Sequence, residues 1–501
     1  KHFPGHGDTA TDSHHTLPLL NFDEARLDSI ELYPYKKTFD VGLASVMTAH
    51  LNIPSLEANI NVPTSLSKNV VTHLLQEKLG FQGLIITDGL NMKGAANYAT
   101  SAQVDLAALQ AGNDLLLIPQ DVPASIAIIK KALETRTLTK ERLDFSVRKI
   151  LKAKYWAGLQ NYKPIELENI VEDLNRIEDE LLHRELVKNS LTLLKNENNN
   201  VPIRNLEKQK IAYVKLGAAE NNSFVDMLKK YAKVTVVSDT NLDGLITKLK
   251  PYNYVIIGFH KSNLHPWKSY KMSNKELVWL QEIAKEKTVV LDVFTSPYSL
   301  LKIKSFTNIE SVIVSYQNSK LSQEISAQLL FGAIAAKGKL PVSIGTEFKE
   351  GSGITSTNLS RFQYTLPEAA GLSSKKLALI DKIADTIIQE KMAPGFQVFV
   401  ARNGKVVFEK SYGYHTYDKK IKVKNSDIYD LASLTKILAS LPLIMKAEEE
   451  DKIRLTANLR DVLPSFSNSN KDTVTVKEIL SHFGRLKSWI PFYKDTQDSI
   501  T

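Results

Sequence analysis

Lys1, His2, His6, Asp8, Asp12 and His14 crowd into the first fourteen residues, on a stretch punctuated by Pro4, Gly5 and Gly7. Three imidazoles, two carboxylates and an ammonium on a Gly/Pro-rich loop after a strand end form the kind of group that a barrel gathers at its mouth. An imidazole titrates near neutrality, so it can give and take back a proton within one catalytic cycle. The competing reading is a polar surface loop in which Asp12 only forms a turn. His6, between two glycines, is expected to shape the loop. His15 adjoins His14. His50 stands at a strand end facing the same mouth and is a candidate to line the pocket, whereas His73 falls on a predicted helix and is expected to be structural. Asp88 follows the apolar run 84–87 and precedes Gly89, which puts it at the C-terminal lip of a strand; its alternative role is a helix cap.

A further pattern is Ser433-Leu434-Thr435-Lys436. One helical turn brings Ser433 and Lys436 onto one face, where a desolvated amine can activate a hydroxyl. The same S-x-x-K spacing begins at Ser65, Ser146, Ser299 and Ser373, so context has to separate them. Ser433 follows a strand-loop passage at 428–432 and opens an apolar helix at 437–445, as a nucleophile at a helix start requires.

Elements of two kinds must hold these groups. Over residues 1–160, candidate strands at 43–48, 83–87 and 114–118 alternate with helices at 67–79, 123–134 and 140–156, the pattern of parallel βα units. With a strand end at Lys1, they amount to about half of an eight-stranded TIM barrel, and the chain is expected to be a fragment. A linker and helix at 161–189 lead to a second region, 190–348. Its strands at 210–215, 234–238, 254–259, 288–294 and 311–316 again alternate with helices, which predicts an open α/β sandwich. No phosphate-cradling Gly-rich loop accompanies it, so a nucleotide fold is not expected. A Gly/Ser/Thr-rich stretch within 345–360 marks a linker, assigned to 349–366. The third region, 367–501, begins with a helix at 374–391 and two strands, 395–402 and 405–413, joined by an Asn403-Gly404 turn.

Composition narrows the function classes. The chain is 43% hydrophobic and 24% charged, with no apolar run of about 18 residues to cross a bilayer. The net charge of +9 is carried by scattered lysines beside Glu or Asp, so a nucleic-acid partner is not expected. Zero cysteines exclude disulfides, thiolate metal sites and cysteine nucleophiles.

The segment KHFPGHGDTATDSHHTLP resembles the signature of the β-N-acetylglucosaminidase branch of family 3 glycoside hydrolases, which reads KHFPGHG, a short spacer and DSH. The likeness continues through Glu31-Leu32-Tyr33-Pro34-Tyr35, Met47-Thr48-Ala49-His50 and Leu84-Ile85-Ile86-Thr87-Asp88-Gly89-Leu90-Asn91-Met92, densely over the first 160 residues and more loosely over the second region. The resemblance implies Asp88 as nucleophile, His14 as acid/base, Asp12 as the group that orients and stabilises its imidazole, and Lys1 and His2 as partners of sugar hydroxyls. It implies a retaining exo-β-N-acetylglucosaminidase, that is a β-N-acetylhexosaminidase, acting through a covalent glycosyl-enzyme. No metal and no organic cofactor are implied. Because a His acid/base does not repel phosphate as a carboxylate would, a glycoside phosphorylase is an open alternative, as is a β-glucosidase.

With Pro394-Gly395 and the paired strands before it, the Ser433 region resembles the opening of a serine β-lactamase or penicillin-binding-protein domain of the class C and esterase type. After Ser481-His482, where relatives carry Thr-Ser-Gly-Leu, this sequence has Phe483-Gly484-Arg485-Leu486. The family's later Tyr motif and Lys-Thr-Gly-like strand are not among these residues, so acyl transfer is not expected of them. Such a fusion implies an N-acetylglucosamine-containing glycan or muropeptide as substrate and a periplasmic or otherwise extracytoplasmic setting, with a cytoplasmic one open.

Overall fold

Short apolar runs bounded by Gly and polar residues form the parallel strands that organise residues 1–168. The structure, a computed structural model, describes residues 1–262, 264, 269–491 and 493–494. The parts of the expected second and third regions at 263, 265–268, 492 and 495–501 lie outside the described residues. Two compact units divide the chain, Lys1–Glu168 and Asn169–Thr501.

In the first unit, β1 (Ser45–Thr48) and β2 (Leu84–Thr87) run parallel, in register from Ser45↔Leu84 to Thr48↔Thr87. Phe3 bridges Thr48 on one flank and Leu115 bridges Ile86 on the other, both parallel. Four extended segments therefore lie side by side in chain order. The helices Tyr33–Asp40, Asn69–Lys78 and Ser101–Ala111 fall one in each of the three connections, the repetition that builds a barrel. Successive strand side chains point to opposite faces, so Val46 and Ile85 enter one core with Phe3, Val70, Val71, Leu74, Leu75 and Ala111.

The strand expected at 114–118 contracts to the single bridge at Leu115. Asp114 turns inward, where its Oδ2 accepts the Ile85 N–H at 2.9 Å and the Lys149 ammonium at 2.5 Å, and its Oδ1 accepts the Ser146 hydroxyl at 2.5 Å. At the other end Ile118 has a φ of 50°, a left-handed conformation no strand continues through. The helix Lys140–Trp156, which carries Ser146 and Lys149, is thereby tied to the strand layer.

In the second unit, β3 (Thr192–Asn196), β4 (Ile211–Leu216), β5 (Val234–Val236), β6 (Tyr254–His260), β7 (Thr288–Phe294) and β8 (Ser311–Val314) form one sheet in the order β3-β8-β7-β6-β4-β5. Only β3 is antiparallel, pairing with β8 at the edge. The other five follow a doubly wound order, and a core lies on each face, one around Val214, Ile257 and Leu291, the other around Tyr213, Ile256 and Val290. Buried residues fill β6 along its whole length, as a parallel strand covered on both faces requires.

The expected linker is held down rather than free. Gly351, Ile354, Ser356 and Leu359 donate backbone N–H groups to Leu340, Leu193, Ala336 and Gly332, and the Arg361 guanidinium reaches the Ile203 and Phe331 carbonyls at 2.9 and 2.8 Å. Its small residues let it lie along the sandwich instead of leaving it. β9 (Gln363–Tyr364) then joins a three-stranded sheet in the order β10-β11-β9. The strands β10 (Gly395–Arg402) and β11 (Lys405–Gly413) form the expected hairpin, with Asn403 and Gly404 at φ of 51° and 71° in its turn.

Candidate active site

Asp88 stands one residue beyond β2, and its backbone N–H donates to the Thr48 carbonyl at 2.9 Å, which carries the parallel ladder to its last rung. The carboxylate is nearly buried. Its Oδ1 accepts the Gly89 N–H at 3.0 Å, and its Oδ2 lies 3.1 Å from Nε2 of His2. The His2 hydrogen bond is the main reason the Asp88 carboxyl is depressed to about 2, against the opposing cost of burial. His2 adjoins Phe3, on the far side of β1 from β2, a span of roughly 10 Å in a flat sheet. The two side chains, reaching toward each other across the end of β1, close that span. Lys1 is exposed next to His2.

His14 and Asp12 form the expected dyad. Asp12 Oδ1 accepts both the backbone N–H of His14 at 2.9 Å and its Nδ1–H at 2.7 Å. These two bonds hold the Asp12 carboxyl below the usual carboxylate range. Since Asp12 occupies Nδ1, Nε2 is the atom left to exchange a proton with a substrate. Both side chains are exposed, at 60% for Asp12 and 67% for His14. The loop that carries them rests on the segment after Asp88: the Gly94 N–H donates to the Ser13 carbonyl at 3.1 Å, and Lys93 N lies 3.5 Å from the His14 carbonyl.

His6 shapes this loop from within. The Thr9 hydroxyl donates to the His6 carbonyl at 2.9 Å, so it accepts the His6 Nδ1–H at 2.8 Å, and Nε2 lies 3.1 Å from the Ser13 hydroxyl. The His6 ring also meets that of His2 edge-on, with centroids 5.4 Å apart. Below, Arg26 donates to both Glu31 oxygens at 2.8 and 2.6 Å and to Asp8 at 3.2 Å.

His50 does not line the mouth. It is fully buried, its Nδ1 2.7 Å from the Ser65 hydroxyl and its Nε2 3.0 Å from the Gly89 carbonyl. His73 is an exposed helix residue paired with Glu77 at 2.8 Å, as expected. Ser13, Ser65 and Gly94 join the site only in the folded structure. In the sequence Ser65 has one signal, its place at the start of an S-x-x-K run.

The Ser433 pattern closes its turn, with Lys436 Nζ donating to Ser433 Oγ at 3.2 Å. Both residues are exposed, and Ser433 lies in the turn ahead of the helix rather than within it. An activated hydroxyl needs a desolvated amine beside it, and this amine stands in solvent. Lys436 also edges a cleft of about 570 Å³ with Ile437, Leu441, Ile479, His482 and Arg485. In the sandwich, Asp292 is fully buried, takes the hydroxyls of Ser315 at 2.7 Å and Ser326 at 2.5 Å, and is pushed up to about 7 by desolvation. Among the described residues no group of three or more His, Asp or Glu side chains is arranged to hold a metal ion, and no helix is long and apolar enough to cross a membrane.

Comparison with known proteins finds a match to two family models, each over part of the chain. Residues 1–153 match the glycosyl hydrolase family 3 N terminal domain, and residues 384–499 match the β-lactamase family. Beta-hexosaminidase A of Pseudoalteromonas piscicida is 32% identical over 173 residues, which cover 31% of this chain and 29% of that protein. A beta-hexosaminidase of Chromobacterium violaceum is 36% identical over 132 residues, covering 26% and 36%. The chain thus spans about a third of the length of these curated relatives. Among solved structures, a fungal multi-domain GH3 beta-N-acetylglucosaminidase superposes with a TM-score of 0.53 at 28% identity, over 69% of this chain and 41% of that one. A beta-glucoside phosphorylase shares the fold, with a TM-score of 0.59 at 22% identity over 69% and 65%.

Proposed function

We propose that this chain, in which a family 3 glycoside hydrolase N-terminal domain precedes a region of the β-lactamase family, carries the catalytic groups of a retaining exo-β-N-acetylglucosaminidase. The observation that carries the reading is the pairing of an ionised, His2-bonded Asp88 at a strand end with an Asp12–His14 dyad whose loop rests on the segment after Asp88. In the first step, an Asp88 oxygen attacks the anomeric carbon while Nε2 of protonated His14 gives its proton to the leaving oxygen. The bond to the aglycone breaks and a glycosyl ester forms. In the second step, neutral His14 takes a proton from water as its oxygen attacks the same carbon, which restores Asp88 with net retention. Asp12 stays anionic throughout and stabilises the imidazolium. Lys1 and His2 bind sugar hydroxyls, with His2 also fixing the nucleophile.

The domain assignment that goes with this reading is a partial barrel at 1–160, a linker and helix at 161–189, the sandwich at 190–348, a connecting strap at 349–366 and a β-lactamase-like region from 367. The substrate class is a terminal β-linked N-acetylglucosamine on a glycan or muropeptide, and the setting is periplasmic or otherwise extracytoplasmic. The names of the beta-hexosaminidase relatives support the sugar, and the fused β-lactamase family supports a cell-wall source.

A second reading keeps the site and changes the acceptor. A histidine acid/base tolerates an incoming phosphate, and the fold is shared with a beta-glucoside phosphorylase. Assay of the full-length protein on p-nitrophenyl N-acetylglucosaminide and on the glucoside, each with and without phosphate, separates the two. Release from the N-acetylglucosaminide without phosphate supports the hydrolase; a phosphate requirement with sugar 1-phosphate as product supports the phosphorylase.

A further inference from the structure

We propose that His50 and Gly94 form a bracket that sets the spacing between the nucleophile segment and the acid/base loop, which makes them positioning residues for both halves of the reaction. The inference rests on the reading of Asp88 and His14 as the catalytic pair.

His50 is 0% exposed and stands two residues beyond β1. The Gly89 carbonyl can only accept, so Nε2 donates to it across 3.0 Å; Nδ1 of the neutral ring must then accept the Ser65 hydroxyl at 2.7 Å. Burial lowers the His50 pKa and favours that neutral tautomer. The ring thus pins the peptide that follows Asp88. Five residues after Gly89 the same segment meets the other loop at Gly94. A Cβ built there would lie 3.0 Å from the His50 Cβ and 3.1 Å from the carbonyl oxygens of both Ser13 and Thr16. Gly94 has no positive φ to explain it, so what it supplies is room. One bare Cα lets the Ser13 and Thr16 carbonyls and the His50 side chain all close onto Gly94, and the Gly94 N–H to Ser13 O bond at 3.1 Å fastens the loop there. His50 holds one catalytic segment directly and the other through Gly94.

The two halves make different kinetic predictions, read on N-acetylglucosaminides of graded leaving groups in the full-length protein. Gly94→Ala pushes the 12–16 loop outward and weakens proton donation. Turnover of an alkyl glycoside or disaccharide should fall about 100-fold, the cost of a misplacement near 1 Å. The kcat/KM of the dinitrophenyl glycoside, which reports a first step whose leaving group needs no proton, should fall less than about threefold, while its kcat falls with the water-activating second step. Ser65→Ala frees His50 Nδ1 without touching either loop. It should lower kcat on all leaving groups alike by roughly 3- to 10-fold with KM unchanged, and Ser65→Thr should restore it. If Gly94→Ala folds poorly, the Ser65 pair still decides. A Gly94→Ala loss of kcat/KM independent of leaving group, or Ser65→Ala at wild-type kcat, would overturn the bracket. Asp88→Asn is measured beside them: if it retains turnover, the underlying catalytic reading has failed, whereas if it is dead and the bracket variants behave as wild type, only the bracket has.

Discussion

His2 reaches Asp88 across the end of β1, its Nε2 3.1 Å from the carboxylate Oδ2. This bond does more than any other contact to hold the nucleophile ionised at about 2, below its ordinary 3.8. With Asp88 ionised through the whole working range, its protonation cannot set the acid limb of the wild-type pH profile near neutrality.

Removing the bond moves that limit. In His2→Phe the Asp88 carboxyl loses its main stabilising donor while its desolvation stays, so its pKa rises. The nucleophile then protonates at a higher pH, and the acid limb of kcat/KM for the dinitrophenyl glycoside should shift upward. An unshifted acid limb with only KM raised would assign His2 to sugar binding alone.

The Asp114 network should govern the stability of the first unit. Its carboxylate is buried and holds Lys149, Ser146 and the Ile85 N–H together. Asp114→Ala leaves the Lys149 ammonium without its buried partner and should destabilise the unit by about 3–5 kcal/mol in chemical denaturation, whereas Lys149→Met with Asp114→Leu should recover part of it. Equal stability of Asp114→Ala and wild type would show the network to be ornamental.

A pH effect belongs to the sandwich. Burial raises the Asp292 pKa from 3.8 to about 7. A carboxyl raised in the folded state contributes stability that is complete below its unfolded value and is lost as the pH rises through its folded one, here between about 4 and 7. Asp292→Asn stays neutral and keeps one acceptor and one donor for Ser315 and Ser326, so it should melt several degrees higher than wild type at pH 8 and show little gain at pH 4. Parallel melting curves for the two proteins across that range would contradict the assignment.

Ser433 and Lys436 should be silent in glycoside hydrolysis. Their 3.2 Å contact is exposed, so the amine lacks the desolvation that would activate the hydroxyl. Ser433→Ala should leave N-acetylglucosaminide turnover unchanged, and this chain should give no acyl-enzyme with a chromogenic cephalosporin by intact mass. An adduct of one acyl group per chain would assign it a second active centre.

Local patterns carried the strands and most helices. Apolar runs ending at Thr48 and Thr87, and the Asn403-Gly404 turn, depend on neighbours within a few residues, and they emerge close to where the sequence puts them. The 114–118 strand and the Gly/Ser/Thr linker misled for the opposite reason. Asp114 is turned inward by Ile85, Ser146 and Lys149, and the 351–359 strap is held by carbonyls of the sandwich, partners between about 10 and 160 residues away. The site divides in the same way. The Asp12–His14 dyad spans two residues and was legible. The His2–Asp88 bond depends on the order in which the Phe3 segment, β1 and β2 lie side by side, and the burial of His50 against Ser65 and Gly89 depends on how β1 and β2 end together. Ser65 and Ser146, both starts of S-x-x-K runs, spend their hydroxyls on His50 and Asp114, which shows how little that spacing says without its surroundings.

Trapping shows whether Asp88 forms the covalent glycosyl-enzyme. The full-length protein is incubated with a slow fluorinated N-acetylglucosaminide, its intact mass is measured, and it is digested and its peptides sequenced by mass. One added sugar per chain is expected on the peptide containing Asp88, and none in Asp88→Asn. An adduct on another carboxylate, or normal turnover in Asp88→Asn, would contradict this role for Asp88.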